Sequence, residues 1–163
     1  MTLEGVGKPP TIIEWVQMDF EVESEGWNRY GLEDGTTIKT RLVALVIQKR
    51  LTVGPTKPEE PGYRFRASSL VTAISKDSMK GQPTEVPMNP TPEEIEKMQK
   101  IEVDFTTYAE PWNVYRLSDG SVLKVKMTVH KIARFEGKYD PEGNPMYWCW
   151  WGQAIVGLPK EAR

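Results

Sequence analysis

The segment EGWNRYGLEDGTTIKTRLVALVIQK (residues 25–49) is matched without a gap by EPWNVYRLSDGSVLKVKMTVHKIAR (residues 110–134), at a constant offset of 85 residues. The identical pairs include Trp27/Trp112, Asn28/Asn113, Tyr30/Tyr115, Leu32/Leu117, Asp34/Asp119, Gly35/Gly120, Lys39/Lys124 and Ile47/Ile132. Self-similarity at a fixed offset is the sequence signature of a repeated structural unit. The sequence therefore predicts a tandem internal duplication with pseudo-twofold character.

Within each copy, apolar and polar residues alternate with the period of a β-strand. Val16, Met18, Phe20 and Val22 alternate with polar residues, and Ile101, Val103 and Phe105 do so in the second copy. Each copy then contains an Asp-Gly dipeptide between alternating segments, at Asp34-Gly35 and Asp119-Gly120. Asp-Gly between such segments is a strong hairpin signal, because glycine adopts the positive φ that the turn requires.

These patterns predict an all-β chain in which each copy is a meander of four strands. The expected boundaries are a first repeat over residues 11–75, a Pro-rich linker over 76–100 and a second repeat over 101–160. In the linker, Thr91, Pro92 and Glu94 form the capping pattern of one short helix. Two arrangements stay open: two small barrels of about 60 residues each, or one closed β structure whose copies share a core.

The alternation also predicts which side chains form the core. The expected buried residues are Val16, Met18, Phe20, Leu42, Val103, Phe105, Leu123, Val125, Met127, Val129 and Ile155. The long strand of the first copy, RLVALVIQ, is apolar on both faces, so we expect both of its faces to be covered.

Composition excludes several classes of protein and of site. The chain has 163 residues, a net charge of −2, one cysteine (Cys149) and one histidine (His130). An internal disulfide is therefore impossible, and too few ligands remain for a zinc site or a catalytic triad. We expect no cofactor and no metal. With no apolar run of the ~20 residues that span a bilayer and no signal-like N-terminus, a cytoplasmic, non-membrane protein is the default.

Basic residues at equivalent places in the two long strands could contact phosphate. These are Lys39 and Arg41 in the first copy and Lys124 and Lys126 in the second. The competing interpretation is that acidic residues of the first strand, such as Glu21 and Glu23, neutralise them through cross-strand ion pairs. Because each half of the chain is close to charge balance, we favour ion pairing.

Four duplicated carboxylates, Glu25, Asp34, Glu110 and Asp119, could converge as an acid/base pair or hold a hard cation such as calcium. The competing interpretation is structural, because an aspartate before glycine is what a hairpin turn uses.

The tryptophans predict a surface for a ligand or partner. Trp148 and Trp150 share one face of the segment MYWCWWGQ, and the repeated Trp27 and Trp112 lie next to strands. Core or interface is favoured over a nucleic-acid platform for the first two, because no basic residue interrupts that segment.

Three functions remain from the sequence. The favoured one is a non-enzymatic β-module that acts by binding or assembly through an aromatic and apolar surface. It is expected to be a homodimer, with Trp148, Trp150 or the Val43/Leu45/Ile47 face in the contact. The alternative is a nucleic-acid-binding protein built from small barrels. The least favoured is an enzyme or cation site built on the duplicated carboxylates.

Overall fold

The computed structural model describes residues 12–53, 62–85 and 90–160. Within these ranges the chain forms ten β-strands and one α-helix, joined by turns and a short 3₁₀ helix at Asp77–Met79. The strands are β1 (Ile12–Met18), β2 (Phe20–Ser24), β3 (Asn28–Leu32), β4 (Thr37–Val53), β5 (Tyr63–Ile74), β6 (Lys100–Glu102), β7 (Phe105–Ala109), β8 (Asn113–Leu117), β9 (Val122–Tyr139) and β10 (Pro145–Leu158), and the helix is α1 (Pro92–Lys97). Here β1–β5 are the first half of the chain and β6–β10 the second half.

The strands form two five-stranded antiparallel sheets. In the first sheet β4 pairs with β5 along one edge and with both β3 and β1 along the other, and β3 in turn pairs with β7. In the second sheet β9 pairs with β10 along one edge and with both β8 and β6 along the other, and β8 pairs with β2. The two sheets therefore have the same internal plan.

Each sheet contains one strand from the other half of the chain. β1 pairs with β4 of its own half, but after Asp19 the chain crosses over and β2 pairs with β8. Likewise β6 pairs with β9, and after Asp104 the chain crosses so that β7 pairs with β3. The crossing points are held by equivalent hydrogen bonds: Ser118 N donates to Asp19 O and Glu33 N donates to Asp104 O, each at 2.8 Å.

One hydrophobic core fills the space between the sheets and draws on both halves. Tyr30, Ile38 and Ile47 from the first half and Tyr115, Leu123 and Ile132 from the second are fully buried within a single cluster. Strand exchange makes this core shared, because neither half supplies all the strands of its own sheet.

The two Asp-Gly turns are equivalent tight hairpins, as the sequence predicts. Gly35 and Gly120 have φ values of 90° and 88°. Gly35 N donates to Leu32 O and Gly120 N donates to Leu117 O, each at 2.9 Å. This geometry matches a three-residue hairpin loop that ends in a left-handed glycine.

Several expectations about the architecture are confirmed and others are wrong. The chain is all-β, and α1 is capped by Thr91, whose side chain accepts a hydrogen bond from Glu94 N as predicted. The closed barrel is wrong, because the described strands form two open sheets. The prediction of four strands per half is wrong, since each half has five. The predicted first strand is divided into two strands at the crossover. The sequence does not reveal this division, because the alternation of apolar and polar residues continues although the pairing partner changes. Residue 11 and residues 54–61 of the predicted first repeat, and residues 86–89 of the predicted linker, lie outside the described residues.

The predicted core list is largely confirmed. Leu42, Val103, Leu123, Val125, Met127 and Val129 are buried, while Met18, Phe20, Phe105 and Ile155 are partly buried against the core. The prediction for Val16 is wrong, because it is 37% exposed although it lies on the same side of β1 as Met18, opposite Lys49 of β4. Full cover of both faces of RLVALVIQ is also wrong: Ile47 is buried, but a bulge after Ala44 leaves Leu45 48% exposed.

No helix within the described ranges is long and apolar enough to cross a membrane.

We expect Gly35→Ala and Gly120→Ala each to lower the free energy of unfolding by about 1–2 kcal/mol, because an L-residue is strained at these positive φ angles. Urea denaturation measures the loss. Gly152→Ala is the matched control, because a Cβ there meets nothing within 4 Å. Unchanged stability in both turn variants would contradict the turn geometry.

Candidate functional site

The repeated carboxylates Glu25 and Glu110 connect the two halves of the chain. Glu25 Oε2 accepts hydrogen bonds from Tyr115 Oη at 2.8 Å and from Ala44 N at 3.2 Å. Glu110 Oε2 accepts from Tyr30 Oη at 2.6 Å and from Val129 N at 3.0 Å. Each carboxylate therefore ties a tyrosine of the opposite half to a long strand of its own half.

The repeated asparagines make a second pair of ties through the core. Asn28 Nδ2 donates to Met127 O at 3.3 Å, and Asn113 Nδ2 donates to Leu42 O at 3.2 Å. Both side chains are buried, so these amides satisfy strand carbonyls that would otherwise lack a partner at the sheet contact.

The turn aspartates each pair with a cation of the opposite half. Asp34 Oδ2 lies 2.8 Å from Arg134 Nη1 and accepts from Tyr147 Oη at 2.6 Å. Asp119 Oδ2 lies 2.6 Å from Lys49 Nζ. The four predicted carboxylates are thus placed at separate ties and do not converge on one site.

These contacts shift the pKa values of the groups involved. Partial burial opposes ionisation of Asp119, but hydrogen bonds from Lys49 and Ser121 outweigh it and lower its pKa to about 2. Burial likewise opposes ionisation of Asp34, yet hydrogen bonds from Tyr147, Thr36 and Arg134 lower its pKa. Burial and the neighbouring Asp34 raise the pKa of Tyr147 to about 12. Burial together with the carboxylate partners Glu110 and Glu25 raises the pKa values of Tyr30 and Tyr115 above their ordinary range. The shifted pKa values therefore arise from burial and from the ion pairs and hydrogen bonds that stabilise the fold.

A different surface collects the basic and aromatic residues of the first sheet. The side of this sheet that faces away from the core is here called the cationic face. Its strand register places there Arg29, Lys39, Arg41, Arg64 and Arg66, and Arg50 shares the same side. The strands of this sheet contain a single carboxylate, Glu14, and it pairs with Leu51 on the opposite side.

Strand exchange is the reason for this imbalance. Glu21 and Glu23, which the sequence places near Lys39 and Arg41, lie on β2 in the second sheet. There Glu23 forms an ion pair with Arg116 at 2.5 Å. The strand that replaces β2 in the first sheet is β7, FTTYA, which carries no charge. The cross-strand ion pairs expected for Lys39 and Arg41 therefore do not form through these residues.

Two repeated tryptophans lie beside the predicted phosphate contacts. Lys39 Nζ lies 4.8 Å from the Trp27 ring centre and Arg41 Cζ lies 5.6 Å from it. In the second sheet Lys124 and Lys126 lie 5.2 and 5.6 Å from the Trp112 ring centre. The structure thus joins two predicted groups, the repeated tryptophans and the basic pairs, into equivalent cation–π clusters.

Arg41 is only partly neutralised. Its Nη2 lies 3.6 Å from Glu25 Oε1, longer than a hydrogen bond, and its buried Nε has no hydrogen-bond partner.

The exchanged strand β7 adds an exposed aromatic ring to the cationic face. Tyr108 is 67% exposed, and its ring lies directly over Gly31 of β3, where any Cβ would clash with the ring. The residues at the equivalent positions of the second sheet are Glu23 and Arg116. The first sheet thus has the Tyr108 ring packed on Gly31 at the positions where the second sheet has the Glu23–Arg116 ion pair.

At the far end of the cationic face, Arg64 Cζ lies 3.9 Å from the ring centre of Trp15. The sequence analysis did not single out Trp15, Tyr108, Arg29, Arg64 or Arg66. The alternating arginines of YRFRASS were an available signal, because period-two spacing puts both on one side of a strand.

The second sheet carries the remaining predicted aromatic residues in a mixed environment. Trp148 and Trp150 are both partly buried on its outer side, and Lys131 Nζ lies 4.6 Å from the Trp150 ring centre. Near them Ala133 and Phe135 of β9 are buried and pair with β6. The strands of this sheet carry four carboxylates, Glu21, Glu23, Glu102 and Glu136.

The described residues contain no cluster of three or more histidine, cysteine, aspartate or glutamate side chains that could hold a metal ion. Cys149 is buried in the core, and burial raises the pKa of its thiol to about 12, so the reactive thiolate is disfavoured. His130 is exposed on β9.

Comparisons of the chain with protein-family models, with curated proteins and with solved structures find no match.

Tyr30→Phe and Tyr115→Phe should each lower the free energy of unfolding by about 1.5–3 kcal/mol, because each leaves a partly buried glutamate without its tyrosine donor. Urea denaturation of both variants gives the two losses. Tyr108→Phe removes an exposed hydroxyl and should change stability by less than about 0.5 kcal/mol. Losses in Tyr30→Phe and Tyr115→Phe no larger than in Tyr108→Phe would contradict the role of the ties.

The Asp119–Lys49 pair predicts a defined pH dependence. The pKa of Asp119 is lowered from the ordinary 3.8 to about 2 in the folded protein, so its ionised form favours folding. That contribution is fully present above pH 3.8 and is lost as the pH falls through about 2. We therefore expect the stability difference between wild type and Asp119→Asn to shrink over this interval, measured by urea denaturation at each pH. Asp77→Asn, which changes a fully exposed carboxylate, is the control; a constant difference for Asp119→Asn would contradict the assignment.

Proposed function

We propose that this protein is a non-enzymatic β-module that acts by binding, and that the cationic face of the first sheet binds an anionic partner. The observation that carries the proposal is the scarcity of carboxylates in the first sheet, because the strands of the second sheet also contain seven basic residues but have four acidic ones. The strands of the first sheet contain seven basic residues, Arg29, Lys39, Arg41, Lys49, Arg50, Arg64 and Arg66, against one acidic residue. The chain as a whole has a net charge of −2, so this concentration of positive charge is local.

A surface of one sign attracts ligands of the opposite sign and raises their rate of association. Lys49 lies on the core side and is paired with Asp119, and Arg41 has a distant partner in Glu25. The basic residues on the cationic face are therefore the part of the first sheet that an anionic partner would meet. They replace the Trp148 and Trp150 region as the favoured binding surface, since that region has carboxylates on its own sheet.

An enzyme built on the duplicated carboxylates is disfavoured by their contacts. Glu25 and Glu110 each accept hydrogen bonds from a tyrosine and a strand amide, and Asp34 and Asp119 are ion-paired across the halves. A general acid or base must exchange a proton with substrate, and a carboxylate that already accepts structural hydrogen bonds or is ion-paired is poorly placed for that.

The homodimer stays a prediction, and the cationic face is not its favoured contact. A twofold contact brings the same surface of both protomers together, so the basic residues of this face would oppose each other. Leu45 and Leu70 are 48% and 43% exposed on β4 and β5. Their exposure favours a partner that covers this part of the cationic face. An anionic partner would cover these side chains without the charge repulsion.

The duplication also belongs to this proposal. Each tie described above recurs at an offset of 85 residues: Glu25 and Tyr115 correspond to Glu110 and Tyr30, and Asp119 and Lys49 correspond to Asp34 and Arg134. We propose that the two halves derive from one unit. The charge asymmetry between the sheets then marks where the copies have diverged toward binding.

The proposal predicts that a simple polyanion binds the first sheet in preference to the second. Heparin binding is measured by tryptophan fluorescence for wild type, for Arg29→Ala/Lys39→Ala and for the control Lys124→Ala/Lys126→Ala. Both double variants remove two positive charges, so net charge is equal. We expect Arg29→Ala/Lys39→Ala to weaken binding at least about tenfold and the control to weaken it much less. Equal weakening, or no heparin binding by wild type at low salt, would contradict the proposal.

A further inference from the structure

The cationic face carries aromatic rings as well as charge, and these rings indicate what kind of anion it binds. Resting on the function proposed above, we propose that the ligand is a single-stranded nucleic acid that lies along β4, with bases on the aromatic rings and phosphates on the basic side chains. Surfaces that bind single strands combine these two elements, since stacking uses the base faces and cations follow the backbone.

The exposed ring of Tyr108 is the first argument. A tyrosine that is 67% exposed at the edge of a sheet, supported underneath by Gly31, presents an open ring face to solvent. Its neighbours on the same side are Arg29 and Lys39, which are paired across β3 and β4. A base stacked on Tyr108 would place its phosphates within reach of these two cations.

The spacing of the aromatic residues is the second argument. Trp27 lies beside Lys39 and Arg41 at one end of β4, and Trp15 lies beside Arg64 at the other end. Along an extended strand, Lys39 and Arg50 are roughly 36 Å apart, which is long enough for several nucleotides. The cationic face therefore has a cluster of aromatic and basic residues at each end. Leu45 and Leu70 are exposed between the two clusters and could contact bases that are not stacked on an aromatic ring.

The same observations favour a single strand over other polyanions. In a duplex the base faces are stacked on each other, so the rings of Tyr108, Trp27 and Trp15 would have nothing to stack on. A sulfated polysaccharide or an acidic protein would use the charges but would gain little from three aromatic rings. The second sheet also has basic side chains over Trp112 and Trp150, but its strands contain four carboxylates, and it has the Glu23–Arg116 ion pair where the first sheet has the exposed ring of Tyr108.

The test measures binding of the full chain to a fluorescein-labelled mixed-sequence RNA of about ten nucleotides, within the length range of single-strand binding sites. Binding of a DNA single strand of the same sequence, of the corresponding DNA duplex and of heparin is measured in parallel by fluorescence anisotropy. We expect the single strands to bind more tightly than the duplex. The slope of log affinity against log salt should lie between about −2 and −4, as for three to six neutralised phosphates, and become shallower by about 1.4 in Arg29→Ala/Lys39→Ala.

The aromatic residues are tested separately from the charges. Tyr108→Ala and Trp27→Ala should each weaken RNA binding roughly five- to a hundredfold, the range for loss of one stacked base, with heparin binding little changed. Trp112→Ala is the matched control for Trp27→Ala and should leave RNA binding nearly unchanged. Because Tyr108 is exposed, its substitution keeps the test interpretable even if Trp27→Ala lowers stability, which thermal unfolding monitors.

The outcomes separate this inference from the proposed function. Heparin binding that depends on Arg29 and Lys39, with RNA binding no stronger than duplex binding and insensitive to Tyr108→Ala, overturns the nucleic-acid inference and leaves an anion-binding face. Failure of both heparin and RNA to bind overturns both proposals. Sedimentation equilibrium that shows a dimer disrupted by substitution of Leu45 or Leu70, without RNA binding, overturns the inference in favour of a second copy of the chain.

Discussion

The structure depends on the two places where the first strand of each half leaves its own sheet and joins the other. At Asp19 and Asp104 the chain crosses between sheets, and the carbonyl of each aspartate accepts a hydrogen bond from the turn of the opposite half. The exchanged strands carry Phe20 and Phe105, whose rings pack edge-on against Tyr115 and Tyr30 of the opposite half. Those tyrosines in turn bind the repeated glutamates. The repeated residues are therefore explained chiefly by the contact between the halves.

The same exchange separates charge in a way that the sequence order hides. Residues 1–80 contain equal numbers of acidic and basic side chains, which suggests a neutral surface. Because β2 takes Glu21 and Glu23 to the second sheet and β7 brings no charge in return, the strands of the first sheet contain seven basic residues and only Glu14 as an acidic one. Where the second sheet has the Glu23–Arg116 pair, the first has Tyr108 on Gly31. The two sheets thus share a strand plan but present different surfaces.

Much of the local structure could be predicted from sequence, because it depends on local patterns. The hairpins at Gly35 and Gly120, the cap of α1 and most core positions follow from turn chemistry, capping and alternation. The exchange could not be predicted, because alternation through Met18 and Phe20 is the same whether or not the strand changes partner. The contacts of Trp27 with Lys39 and of Trp112 with Lys124 do not depend on the exchange, because they lie within the two Asp-Gly hairpins, whose register was an available signal. Cross-sheet contacts depend on pairing, which one sequence does not specify.

The most direct test of this account is a cross-link between β2 and β8. Glu21 and Arg116 are register partners in different halves, whereas an unexchanged β2 would place Glu21 opposite Gly31 of β3. Under mild oxidation of the monomeric protein, Glu21→Cys/Arg116→Cys should form an intrachain disulfide, identified by peptide mapping, while the buried Cys149 stays free. Glu21→Cys/Gly31→Cys should remain reduced. A disulfide in the second variant and none in the first would contradict the exchange and, with it, the origin of the cationic face.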